Sequence, residues 1–123
     1  MKRILIVEDN EKNLKLLRDI LQAKGFVTME AMTAEDGLVL ARSNSFDLIL
    51  MDIQLPGMNG IEALGHLRAD PATRAIPVAA VTASVMQHDQ SLITDAGFDG
   101  FISKPISLKE FLVAVNRLVG NTP

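Results

Sequence analysis

Two adjacent carboxylates (Glu8 and Asp9), a third at Asp52, a hydroxyl at Thr82 and an ammonium at Lys104 each stand at or just past the end of a short apolar run. Carboxylate oxygens without histidine or cysteine suit Mg²⁺, which takes one or two protein carboxylates and keeps waters and phosphate oxygens. A hydroxyl and an ammonium beside such an ion are what the remaining oxygens of a phosphoryl group require. An aspartate can attack phosphorus and become an aspartyl phosphate. The residue types therefore point to a Mg²⁺-dependent phosphoryl site with Asp52 as acceptor. Like charges about 4 Å apart repel by about 4 kcal/mol at an effective dielectric near 20. That is a large cost for a domain of about 5–15 kcal/mol stability. Lys104 offsets one charge and a divalent cation offsets the rest. Singly, Asp9 or Asn10 reads as a helix cap, Thr82 as a strand end and Lys104 as a solvated lysine. Those readings do not explain the set.

The elements that position these groups are legible. The stretch Phe46 to Gly60 contains the run Leu48-Ile49-Leu50-Met51, which does not alternate with polar residues and fits a strand buried on both faces. It stops at Asp52, Pro56-Gly57 signals a turn, and Asn59 with Glu62 predicts a capping box. Further strands are predicted at Arg3 to Val7, Phe26 to Ala31, Pro77 to Val81 and Asp99 to Ile102. Helices are predicted from about Asn10 to Lys24, with Leu14, Leu17 and Leu21 inward, and from a cap at Thr33 to about Arg42. Later helices are expected from Asn59 to about Asp70, from a Ser84–Gln87 capping box to Ala96, and after a Ser107–Glu110 capping box. The alternation is (βα) repeated five times, an α/β fold with a parallel sheet and helices on both faces. The carboxyl ends of parallel strands share one edge, where ligands bind in open α/β sheets.

Composition excludes other classes. The chain has 123 residues, 48% of them hydrophobic, which is enough for one cored domain over residues 1–123. A net charge of −3 and no Lys/Arg run argue against direct nucleic-acid binding. The absence of cysteine rules out disulfides, a thiolate nucleophile and a cysteine zinc site. No apolar run reaches the lengths of a signal peptide or a membrane span, so no membrane insertion and a cytoplasmic location are expected. No second substrate pocket is legible, which argues for a signalling protein over an enzyme. His66 and His88 stand alone and read as solvated helix residues.

VEDN (Val7 to Asn10), DLILMDIQLPGMNG (Asp47 to Gly60), VTA (Val81 to Ala83) and ISKPIS (Ile102 to Ser107) resemble the response-regulator receiver domain of two-component signalling, over essentially the whole chain. Within that family NEKNLKLL, MDIQLP and ISKPIS look most like stand-alone receivers of cell-division control. The resemblance implies the flavodoxin-like strand order 2-1-3-4-5. It implies that Asp52 takes phosphate from a histidine kinase or a histidine phosphotransfer protein and later loses it by autodephosphorylation. It also implies that Glu8, Asp9, Asp52 and the backbone carbonyl of Gln54 hold Mg²⁺, or Mn²⁺ in its place. Thr82 and Phe101 would be the switch residues, with Phe101 unable to make the hydroxyl contacts of a tyrosine there. Lys104 would pair with the phosphoryl group, Lys104-Pro105 would be a cis peptide, and Gln54 and Ser84 would tune dephosphorylation. The fourth helix, fifth strand and fifth helix would form the signalling face. With no room for an output domain, output is expected to be phosphorylation-dependent binding by a monomer, a weak dimer being the alternative. A phosphorelay shuttle and a receiver excised from a hybrid histidine kinase are the rival expectations.

Overall fold

The computed structural model describes residues 2–83 and 87–120. Strands β1 (Arg3–Val7), β2 (Val27–Ala31), β3 (Leu48–Asp52), β4 (Val78–Thr82) and β5 (Gly100–Ser103) alternate with helices α1 (Glu11–Ala23), α2 (Ala34–Ser43), α3 (Gly60–Ala69), α4 (Gln87–Ala96) and α5 (Leu108–Leu118). The strands form one parallel sheet in the order β2-β1-β3-β4-β5. This is the doubly wound α/β fold expected from the sequence.

Unalternating apolar strands need cover on both faces, and the side chains divide accordingly. Leu5, Val7, Ile49, Met51, Val78 and Ala80 point to the face covered by α2, α3 and α4, where Leu38, Leu64 and Ile93 pack. Ile4, Ile6, Leu48, Leu50, Ala79 and Val81 point to the opposite face, under Leu14, Leu17 and Leu21 of α1 and Phe111 and Val115 of α5. Strand β3 is buried at every position. Strand β2, on the sheet edge, is buried only at Ala31. Among the described residues no helix is long and apolar enough to cross a membrane.

The caps follow the sequence with one exception. Asn10 accepts from the Asn13 N–H, Thr33 from that of Asp36, and Asn59 and Glu62 form the reciprocal capping box. Gly25, with φ of +89°, closes α1 in the left-handed region that favours glycine. The capping box expected at Ser107 does not form, because the Ser107 side chain makes no cap hydrogen bond. The backbone still turns into α5 through Phe111 N–H to Ser107 C=O at 2.8 Å. The Ser84–Gln87 box lies outside the described residues. Two strands are shifted by one residue from the sequence reading, so Thr82 and Ser103 are the last residues of β4 and β5 and pair with each other.

At the amino edge of the sheet Arg68, near the end of α3, donates to the carbonyls of Ile76 and Arg74 at 2.7 and 3.0 Å and reaches Asp99 Oδ2 at 2.8 Å. The same Asp99 oxygen accepts the Val78 N–H at 2.8 Å. Arg68 thus ties the connection after α3 to the start of β4 and β5. Arg68→Ala is expected to destabilise the fold by about 2 kcal/mol, since it removes charge-assisted bonds, one of them to the partly buried Ile76 carbonyl. Urea denaturation at neutral pH checks this.

Candidate functional site

Strand β1 runs directly into Glu8 and Asp9. The Glu8 N–H donates to the Ala31 carbonyl at 3.0 Å, which continues the β1–β2 ladder one residue past β1. This holds Glu8 inside, 1% exposed, while Asp9 is exposed. Asp52 ends β3 and is 4% exposed. One oxygen of each of Glu8, Asp9 and Asp52 lies within 4.8 Å of the others. Register explains the meeting: β1 and β3 are neighbours with Val7 opposite Met51, so the residues that follow each come side by side.

Lys104 follows β5, and its N–H donates to the Thr82 carbonyl at 2.8 Å. Its ammonium lies 2.8 Å from Glu8 Oε1 and 3.3 Å from Asp52 Oδ2. The second Asp52 oxygen, Oδ1, accepts the Gln54 N–H at 3.1 Å. The acceptor candidate is therefore gripped on both sides. The Lys104-Pro105 peptide is cis. Thr82 is 4% exposed at the end of β4. Phe101 is half-buried in β5 opposite Ala80, packed against the core under α2–α4. The Gln54 side chain is exposed, and Ser84 lies outside the described residues. His66 is exposed on α3.

The electrostatics follow from burial. Desolvation raises the Glu8 carboxyl above its ordinary 4.5, the neighbouring Asp52 raises it further, and Lys104 pulls it partly back. Burial alone would lower the Lys104 ammonium, but Glu8 and Asp52 outweigh that and hold it above 10.5. Glu8 Oε1 is buried, and its contact with Lys104 is an ion pair. A buried carboxylate oxygen without a hydrogen bond, next to two more carboxylates, is a donor set that suits a hard divalent cation.

Sequence reasoning brought Glu8, Asp9, Asp52 and Lys104 to one edge, and the structure places them there. It missed Gly60, which lies against the backbone of Asp52. The available signal was a glycine at the first position of a well-capped helix, where no left-handed turn demands one.

This chain belongs to the response regulator receiver domains, whose family pattern matches residues 4–116. Within that family it is 44% identical to the polar-differentiation response regulator DivK of Brucella ovis over 120 residues, 98% of each chain. Among solved structures it is similar to the receiver domain of the sensor histidine kinase PA1611 of Pseudomonas aeruginosa, at 29% identity and a TM-score of 0.89, covering 97% and 98% of the two chains. That structure is described with a magnesium ion coordinated in its active-site cleft. The non-phosphorylated HemR receiver domain of Leptospira biflexa is similar at 30% identity and a TM-score of 0.87, covering 100% and 98%.

Proposed function

We propose that this receiver accepts a phosphoryl group on Asp52 from a phosphohistidine of a histidine kinase or phosphotransfer protein, in a Mg²⁺-dependent reaction. The observation that carries this is the three-carboxylate cluster with Lys104 set between Glu8 and Asp52. A carboxylate oxygen of Asp52 attacks phosphorus, the P–O bond forms as the P–N bond breaks, and the imidazole nitrogen leaves with the electron pair and takes a proton. The Gln54 N–H and the Lys104 ammonium hold the attacking carboxylate in place. In this reading Lys104 and the Thr82 hydroxyl meet the oxygens of the transferred phosphoryl group. Glu8, Asp9, Asp52 and the Gln54 carbonyl would hold Mg²⁺. When bound, the ion supplies positive charge against the phosphoryl oxygens.

Signalling then works through binding. Phosphorylation of Asp52 moves the negative charge that Lys104 meets from the carboxylate to the phosphoryl oxygens, and Thr82 and Phe101 carry the change toward β5 and α5. Gln54, two residues past Asp52, and Ser84, two residues past Thr82, tune hydrolysis of the aspartyl phosphate in this reading. The similarity to DivK over nearly the full length of both chains supports a stand-alone receiver in cell-division or polar-differentiation control. In this reading it acts in the cytoplasm as a monomer.

The test is to incubate the protein with acetyl phosphate, with and without Mg²⁺, and weigh it intact. A gain of one phosphoryl group only with Mg²⁺ supports the proposal. No gain from acetyl phosphate, and none from a phosphorylated histidine kinase, with Mg²⁺ binding demonstrated, rejects it.

Cation binding has its own signature. Because Glu8 is held above 4.5, it carries a proton at pH values just above 4.5 that a bound cation must expel. Mg²⁺ affinity is therefore expected to rise with pH through that window. Calorimetric titration in buffers of different ionisation enthalpy should register proton release there that diminishes as pH rises.

A further inference from the structure

The geometry points to Gly60 as a positioning residue for Asp52: the missing side chain lets the first turn of α3 close onto the peptide that follows the acceptor. A Cβ at Gly60 would fall against the carbonyl oxygen of Asp52, 2.9 Å from Ile53 Cα and 3.1 Å from the Asp52 carbonyl carbon. All of these are main-chain atoms, so no side chain can swing away to relieve the contact. The backbone of Gly60 is not in the left-handed region, so conformational freedom is not what the position demands. Its close approach is fixed from both ends. The Gly60 N–H donates to the Ile53 carbonyl at 3.0 Å, and the Ile53 N–H donates to the Val81 carbonyl at 3.2 Å.

The peptide so clamped sits between Asp52 and Gln54, whose N–H holds Asp52 Oδ1. Displacing it turns the Asp52 carboxylate away from Lys104 and moves the Gln54 carbonyl with it. Gly60 thus acts through the backbone on the acceptor and on the cation ligands, a role that rests on the reading of Asp52 given above. Gly65 supplies the internal standard. It lies in the same helix and is exposed, and a Cβ there meets nothing within 4 Å.

The experiment compares wild type, Gly60→Ala and Gly65→Ala in one set of measurements: thermal melts without metal, amide spectra of the metal-free protein, and Mg²⁺ titrations. Gly65→Ala should melt higher, because glycine is unfavourable inside a helix, and should bind Mg²⁺ as wild type does. Gly60→Ala should stay folded, shift the Gln54 amide resonance before any metal is added, and bind Mg²⁺ about tenfold or more weakly. Its rate of phosphorylation by acetyl phosphate should fall in step. A folded Gly60→Ala with an unshifted Gln54 amide and wild-type Mg²⁺ affinity would overturn the inference. If Gly60→Ala is unfolded, the Gly60→Ala/Gly65→Ala double variant restores helix stability. A double variant that is still unfolded makes Gly60 a residue of the fold alone and likewise overturns it. Wild type that binds no Mg²⁺ would instead count against the acceptor reading, while the Gln54 resonance would still decide the role of Gly60.

Discussion

Asp52→Asn should fold, and should gain no phosphoryl mass from acetyl phosphate or from a phosphorylated kinase at any Mg²⁺ concentration. The substitution keeps the shape and keeps an oxygen to accept the Gln54 N–H, which now holds Oδ1 at 3.1 Å. It removes the anionic nucleophile, and among the described residues no other carboxylate is placed to replace it: Glu8 is engaged with Lys104 at 2.8 Å, and Asp9 is exposed. Stability points the other way. Asp52 and Glu8 are like charges sharing one buried site, and removing one relieves repulsion by roughly 1 kcal/mol in metal-free protein. A metal-free variant that melts slightly higher and stays dead to phosphodonor in the intact-mass assay is the expected pair of results. A phosphoryl gain in Asp52→Asn would move the acceptor elsewhere.

Lys104→Met should be the most destabilising single change in the site, by about 3 kcal/mol in the absence of divalent cation. Removing one partner of a buried ion pair typically costs about 3–5 kcal/mol because a charge is left behind. The lower end applies because Lys104 keeps 18% of its side-chain exposure and Glu8 can take up a proton. The loss should depend on pH. A carboxyl held above its ordinary value in the fold contributes stability that is present below 4.5 and lost as pH rises through the folded value. Lys104 now pulls Glu8 down, so its removal raises the folded value further and widens the window. The gap between variant and wild type should therefore be greatest at neutral pH and shrink as pH falls toward 4.5. Chemical denaturation at several pH values with chelator reads this directly. An equal loss at all pH values would mean that Lys104 acts through packing of its stem.

The sequence revealed what depends on neighbours along the chain. The run Leu48–Met51 announced a doubly buried strand because all four side chains are apolar, and the structure divides them between the two faces of the sheet. The edge shared by Glu8, Asp52 and Lys104 followed from parallel strands alone. Quantities set across the fold were not legible. Nothing local distinguishes Glu8 from Asp9, yet the ladder to Ala31 buries the first and leaves the second exposed. Ser107 reads as a capping serine by spacing, but its side chain makes no cap bond. Gly60 reads as a helix start, and only the approach of α3 to β3 shows why it carries no side chain.

The Arg68–Asp99 tie has a mechanical meaning for the opposite end of the sheet. Asp99 binds the Val78 N–H through its side chain, and its own N–H bonds the Val78 carbonyl at 2.8 Å. Strands β4 and β5 are thus riveted together where they begin, while Thr82 and Ser103 pair where they finish. The pair resembles a beam whose root is anchored by an arginine far from the acidic pocket and which carries Lys104 just past its other end.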